Sequence, residues 1–261
     1  VIDGCGAIPY IRHANGFGQP PNIGEDMKQI LKTLVGSKAH GLDNPNSDTD
    51  MRGVFLVPTS DILSLGYKEK STSWVEGQGE DATSYELHHF LNLACHSNPS
   101  ILEVLVSPVI EATHEGEALR ELFPYIWNSA DVFNAFSGYS HNQRKKFLED
   151  KNSRPWKFAC AQCRVLLLGI ELLKTGSMTV DVQKQEVTLA HAGVNLGNYA
   201  GTLRGYLLAI KAGECVTKGE VIDWAEHLQR ELAAAYSNNP NKQTDYARVN
   251  AFLLKTRKEN W

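Results

Sequence analysis

One feature constrains this chain more than any other: an apolar run ending in Gly-Ser, then a short polar loop, then two aspartates at the head of a second apolar run. The residues are Val35-Gly36-Ser37-Lys38-Ala39-His40-Gly41-Leu42, followed by Ser47-Asp48-Thr49-Asp50-Met51-Arg52-Gly53-Val54-Phe55. Alternate side chains of a strand share a face, so Asp48, Asp50 and Arg52 are expected on one side of the second run. Two carboxylates at that spacing suit a hard divalent cation such as Mg²⁺, which takes oxygen ligands and completes its shell with water and phosphate. The Gly36-Ser37 turn offers backbone N–H groups and a hydroxyl to a phosphate, as glycine-lined anion nests do. One element is suited to a metal ion and the other to a triphosphate, which points to phosphoryl or nucleotidyl transfer.

Further segments extend the pattern. Tyr85-Glu86-Leu87-x-x-Phe90 runs into Asn98-Pro99-Ser100-Ile101-Leu102-Glu103, with weaker continuations at Tyr139-Ser140-His141-Asn142-Gln143 and from Arg164 to Gly176. On these segments, and above all on Gly36-Ser37-x-x-His40-Gly41-Leu42 and Ser47-Asp48-x-Asp50-x-Arg52-Gly53, the chain resembles the nucleotidyltransferase superfamily that includes DNA polymerase beta. The likeness is closer to its branch of bacterial and phage nucleotidyltransferases associated with RNA ligases. It covers most of the chain after about residue 30 and is specific mainly at the first two motifs.

The resemblance implies a small mixed-sheet α/β (α+β) catalytic core followed by a C-terminal helical bundle. It also implies transfer of an NMP from an NTP to an acceptor hydroxyl, with Mg²⁺ or Mn²⁺ as cofactor and pyrophosphate as the leaving group. Asp48 and Asp50 would hold the metal, while Gly36 and Ser37 hold the outer phosphates. Superfamily members add a third acidic residue from a neighbouring strand, as metal ligand or general base. Asp81 is ranked first for that duty because it opens a short strand; Glu86 and Glu103 follow, each sitting where a capping box would use it. Lys38 is a candidate for the β- or γ-phosphate, and Arg52 for either a substrate contact or an ion pair with Asp50. His40 is expected to fix the loop by bonding to backbone. The acceptor stays open among an RNA end, a small molecule and a protein. An inactive nucleotide-binding regulator, or a toxin-like transferase acting on protein or tRNA, is the alternative.

Composition sets outer bounds. The net charge of −4 argues against a wholly basic nucleic-acid-coating surface, although a local basic groove is compatible with it. Five cysteines, an odd number, suggest reduced thiols and a cytoplasmic setting. No apolar stretch reaches the roughly 20 residues of a bilayer span, so no membrane partner is expected. Val1 to Pro21 is Gly/Pro-rich and does not read as a secretory signal.

Periodicity then divides the chain at 1–29 (irregular lead-in), 30–115 (catalytic core) and 116–261 (helical part), with the boundary between the last two falling within 108–125. Strands are expected at 30–35, 51–57, 71–75 and 81–84, with a helical turn at 61–65. Helix begins at Tyr85, with capping boxes at Thr83-x-x-Glu86, Ser100-x-x-Glu103 and Thr217-x-x-Glu220, and a cap before proline at Asn98-Pro99. Helical segments over 118–150 break at Pro124 and near Gly138. Helices at 156–175 and 203–212 close at Gly176 and Gly213, and the last two run to Ala235 and from Asp245 to Lys258. Asp181 to Leu189 reads as a hairpin or loop.

Other signals lead elsewhere. Cys160-x-x-Cys163 lies in an apolar helical stretch and reads as buried thiols. His88, His89 and His96 lack the i, i+4 spacing of a paired metal site. Gly4-x-Gly6 and Gly16-x-Gly18 lack the strand–helix context of dinucleotide binding. Gln143-Arg144-Lys145-Lys146 reads first as a solvated helix face and second as a triphosphate contact.

Overall fold

In the computed structural model, which describes residues 27–67, 71–74, 80–185, 202–239 and 242–261 (71–74, 80 and 81 by their backbone), the first apolar run is a central strand. This is β1 (Lys28–Val35), and a single helical turn, α1 (Gly36–Ala39), leads from it toward β2 (Thr49–Leu56). After α2 (Thr59–Ile62) the chain forms β3 (Ser71–Trp74) and β4 (Glu80–Glu86). Helices α3 (Leu87–Cys95) and α4 (Pro99–Val106) precede a fifth strand, β5 (Val109–Ala112). The rest is helical: α5 (His114–Arg120), α6 (Phe123–Ile126), α7 (Ser129–Leu148), α8 (Pro155–Thr175), α9 (Leu203–Ala212), α10 (Lys218–Asn238) and α11 (Tyr246–Glu259).

The five strands form one mixed sheet in the order β3-β4-β2-β1-β5. β1 pairs antiparallel with both β2 and β5, and β3 antiparallel with β4. β2 and β4 run parallel, because the chain returns through α2 and the outer strand β3. This mixed sheet with its C-terminal helices is the α+β architecture expected above. Strand β5 was not legible beforehand. It is only four residues long, and Ile110 and Glu111 on it are exposed, so neither length nor alternation marks it.

Caps explain where the sequence boundaries shift. β4 continues in register to Glu86, opposite Phe55, and the helix starts two residues later than expected. Glu86 itself caps α3, accepting from the His88 amide at 2.8 Å, so Thr83 takes no part in a box. At α4 the cap is Asn98, which accepts from the amides of Ser100 (3.1 Å) and Ile101 (3.3 Å), with Pro99 in the first turn. Glu103 is thereby released from capping. The Thr217–Glu220 box at α10 and the left-handed Gly176 and Gly213 ends are as read from sequence. Helix α7 does not break at Gly138, whose surroundings are open. A lone glycine costs a helix about 1 kcal/mol, less than the packing of the buried residues Val132, Phe136 and Phe147 on the same helix.

The apolar core is continuous from Ile30 and Val54 in the sheet to Leu228 and Leu232 on α10. α8 lies at its centre, packed against α7, α9 and α10, which is why Val165 to Ile170 are buried without a polar face. Among the described residues no helix is long and apolar enough to cross a membrane. α11 returns to the sheet: Thr59 donates to the Arg257 carbonyl at 2.8 Å, and Arg257 donates to the Val57 carbonyl at 3.0 Å. Arg257 also forms an ion pair with buried Glu86. Residues 186–189 of the hairpin or loop read at 181–189, and the two Gly-x-Gly pairs near the start, lie outside the described residues.

Candidate active site

The end of β1 stacks the two motifs on each other. Val35 pairs with Asp50 in the antiparallel register, so the residue after Val35 lies over the Asp50 side chain. That residue is Gly36, with φ of +70°, and a Cβ placed there would stand 2.0 Å from Asp50 Oδ2. Only glycine meets both demands, the left-handed backbone and the empty space. Gly36→Ala is therefore expected to displace the Asp50 carboxylate or the turn, lowering stability by about 1–3 kcal/mol. Thermal unfolding and NTP titration of the variant would measure both effects.

Asp50 opens onto a cleft of about 310 Å³ whose lining includes Gly36, Ser37, Arg52 and Thr83 from the sheet side. Lys157, Arg164 and Lys211 line it from α8 and α9. Arg52 donates to the Ser100 carbonyl at 3.0 Å, tying β2 to the start of α4. The loop after β1 is held from the helical half. Lys211 Nζ donates to Ser37 Oγ (2.9 Å) and to the Leu42 carbonyl (2.7 Å). Arg204 donates to the Gly41 carbonyl at 2.7 Å, and the Val182 amide to the His40 carbonyl at 3.1 Å. Burial lowers the Lys211 ammonium from its ordinary value.

Below the cleft lies a buried ion network. Glu103 pairs with Arg164, and His40 Nε2 stands 3.5 Å from Glu103 Oε1. The His40 ring thus faces a carboxylate; the backbone bonding expected of it is made by its own amide, which donates to the Gly36 carbonyl at 3.0 Å, and by its carbonyl. Burial pushes the Glu103 carboxyl up, but Arg164 and His40 outweigh it and hold the carboxyl well below the usual range. Burial, then Arg164, lowers His40, against the opposing pull of Glu103. Both groups bind their proton less readily folded than unfolded, so their stabilisation is present at neutral pH and is lost on acidification. Stability is expected to decline as pH falls through about 6.5, the unfolded His40 value, and again through about 4.3 for Glu103. Urea unfolding between about pH 8 and about pH 2, which spans both declines, tests this. Glu103→Gln should remove the lower of the two steps.

Of the site candidates singled out from sequence, Gly36, Ser37, His40, Asp50, Arg52 and Glu103 line the cleft together, Glu103 through its pair with Arg164. Asp48 is exposed just before β2 begins and is not among the lining residues. Lys38 is exposed and donates to Thr49 Oγ1. Asp81 stands in parallel register with Asp50, two residues before Thr83, which does line the cleft; its side chain lies outside the described residues. Glu86 is committed to the α3 cap and Arg257. Among the described residues no three His, Cys, Asp or Glu side chains converge as a metal cage. The 143–146 cluster lies away from the cleft lining: Arg144 pairs with Glu226 at 2.8 Å and Lys146 sits over the Phe158 ring. Cys160 and Cys163 are buried thiols, and burial raises Cys160 to about 11. The cleft cations not foreseen as site residues are Lys157, Arg164 and Lys211. Arg164 opens the weaker family-like segment, whereas the signal at Lys157 and Lys211 is a cation beside an apolar helical stripe.

A protein of Enterobacteria phage T4, described as an uncharacterized 38.9 kDa protein in the nrdC-mobD intergenic region, is 28% identical over 133 residues. The match takes in 46% of this chain and spans only 39% of the phage protein. A crystal structure of a nucleotidyltransferase-like protein from Exiguobacterium sibiricum covers 88% of this chain and 74% of its own, at 7% identity and a TM-score of 0.27, too low to carry an argument. The family described as the RNA repair pathway DNA polymerase beta family matches residues 21–255. With nearly the whole chain matched, and with the Gly36-Ser37 turn seated on Asp50 beside a basic cleft, the chain belongs to that family, RlaP.

Proposed function

We propose that the chain is a metal-dependent nucleotidyltransferase, moving an NMP from an NTP to an acceptor hydroxyl. The observation that carries this reading is the contact of Gly36 with Asp50 in a cleft that also holds Arg52, Lys157, Arg164 and Lys211. Arg52, Lys157 and Lys211 around Asp50, beside the paired Arg164 and Glu103, suit a polyanionic substrate better than a neutral one.

The donor set fits a hard divalent cation. Asp50 presents oxygen to the cleft, Asp48 lies two residues before it, and Mg²⁺ commonly needs only one or two carboxylates, with water and substrate phosphates completing its shell. Asp48, Asp50 and Asp81 would hold Mg²⁺ or Mn²⁺, and the ion when bound would neutralise phosphate charge and polarise the reacting phosphate. Gly36 and Ser37 would receive the outer phosphates. Lys211 would turn from Ser37 and Leu42 toward them, with Arg52 and Lys38 as further cations. The acceptor oxygen would attack the α-phosphorus in line as its proton passes to Asp81. The bond to the β-phosphate oxygen breaks and pyrophosphate leaves. Catalysis would then rest on positioning and fixed charge.

For the acceptor, the family description favours an RNA end over a small molecule or protein. The test is label transfer from each α-labelled NTP, with Mg²⁺ or Mn²⁺, into RNA, protein and small-molecule pools. Label in RNA alone, dependent on Asp48 and Asp50, is the expected result. Metal-dependent NTP binding without transfer into any pool would replace it with the regulatory reading, which the exposed position of Asp48 favours. Lys211→Ala is expected to weaken NTP binding about tenfold, the worth of one charge-assisted contact. Isothermal titration would read it.

A further inference from the structure

A second cavity, of about 480 Å³, opens between α7, α8 and α10 and shares no lining residue with the first. Its size falls within the roughly 300–1,000 Å³ range of small-molecule sites. Its floor is Gln162 of α8, only 4% exposed, whose Oε1 has no hydrogen-bond partner. The neighbours of Gln162 along α8 are largely apolar, so the unmet acceptor is a local departure that a leucine would have avoided. Two cross-helix contacts frame the walls. Gln229 Nε2 donates to Ser137 Oγ at 2.8 Å, and Arg144 pairs with Glu226 at 2.8 Å, which cancels the cavity's carboxylate. Arg230 and His141 remain, both exposed on the lining and neither with an ion pair among the described residues. No Phe, Tyr or Trp lines the cavity, so it offers a nucleobase no stacking face.

We propose that this cavity is a second ligand site, separate from the nucleotide cleft, for a phosphate monoester of a small polyhydroxylated molecule. The Gln162 carboxamide, turning from its buried position toward the cavity, accepts from a ligand hydroxyl, and the phosphate is taken by Arg230, with Arg144 and His141 beside it. The two sites share α7: Tyr139 lines the nucleotide cleft, while Ser140 and His141, the next two residues, line the second cavity. The proposal does not depend on the transferase reading.

The probe is ribose 5-phosphate, titrated calorimetrically into the full chain, with ribose and inorganic phosphate as separate arms. Binding with Kd below about 1 mM is expected, weakened about tenfold by Arg230→Ala and by Gln162→Leu. Ribose and phosphate alone should bind at least about tenfold more weakly than the joined molecule. Lys211→Ala, which alters only the first cleft, should leave the affinity unchanged. Arg230 is exposed, so its variant reports on the site even where Gln162→Leu fails to fold. Absence of binding in every arm would overturn the proposal and leave water as the partner of Gln162. Binding that is lost in Lys211→Ala and kept in Arg230→Ala would overturn it too, by assigning the sugar phosphate to the nucleotide cleft.

Discussion

Asp50→Asn is expected to lower nucleotidyl transfer by about a thousandfold or more, roughly 4 kcal/mol of transition-state stabilisation. Asn matches Asp in shape, so the close seat under Gly36 survives and the turn has no reason to move. What is lost is one negative charge at the point where the metal and the triphosphate would meet. The charge lost also attracts the half-exposed Lys211 ammonium, a pair that solvent screens, so the thermal midpoint should fall by no more than about 4 °C. Asp48→Asn should behave alike in transfer assays if both aspartates bind the ion. Turnover retained in both single variants would sink the assignment. A lost activity accompanied by a collapsed midpoint would instead show Asp50 holding the turn together, and Gly36→Ala distinguishes these, because it moves the carboxylate while keeping the charge.

Glu103→Ala should be the most destabilising single change among the cleft residues, by about 3–5 kcal/mol. Its carboxylate is the ion-pair partner of Arg164, and both side chains are buried. Truncation leaves a guanidinium without its counter-charge at the base of the cleft, and His40 without the group its ring faces. The cost belongs to the orphaned charge more than to the pair itself. Glu103→Met combined with Arg164→Met should therefore recover most of the stability that either change loses alone. Chemical denaturation of the four proteins closes the cycle. The double variant should nonetheless bind NTP more weakly, since Arg164 also lines the cleft. Additive losses of stability would show that the two residues do not act as a pair.

Much of this chain was legible before its structure. The Gly36-Ser37 turn and Asp50 could be read because each lies at the end of a strand, where alternation assigns a face from local residues alone; Asp48, just outside β2, is exposed and does not line the cleft. The left-handed ends at Gly176 and Gly213 and the Thr217 box were legible for the same reason: their hydrogen bonds close within one helical turn. Short-range rules failed where a distant partner outbids a local one. Thr83 stays in β4 because β2 and β3 flank that strand, and Glu86 is then free to cap α3. Strand β5 exists only because β1 offers an open edge.

The cleft itself was decided by tertiary structure. Lys211 grips Ser37 across 174 residues, and Arg164 reaches Glu103 across 61. No periodicity or spacing encodes such contacts; they follow from how α8 and α9 settle against the sheet. The sequence by itself determined that an aspartate and a glycine turn would meet at the end of β1, because a strand's geometry is local. Which cations would surround them was left to the packing of the helices, because burial and charge pairing act between segments that the chain's order keeps far apart.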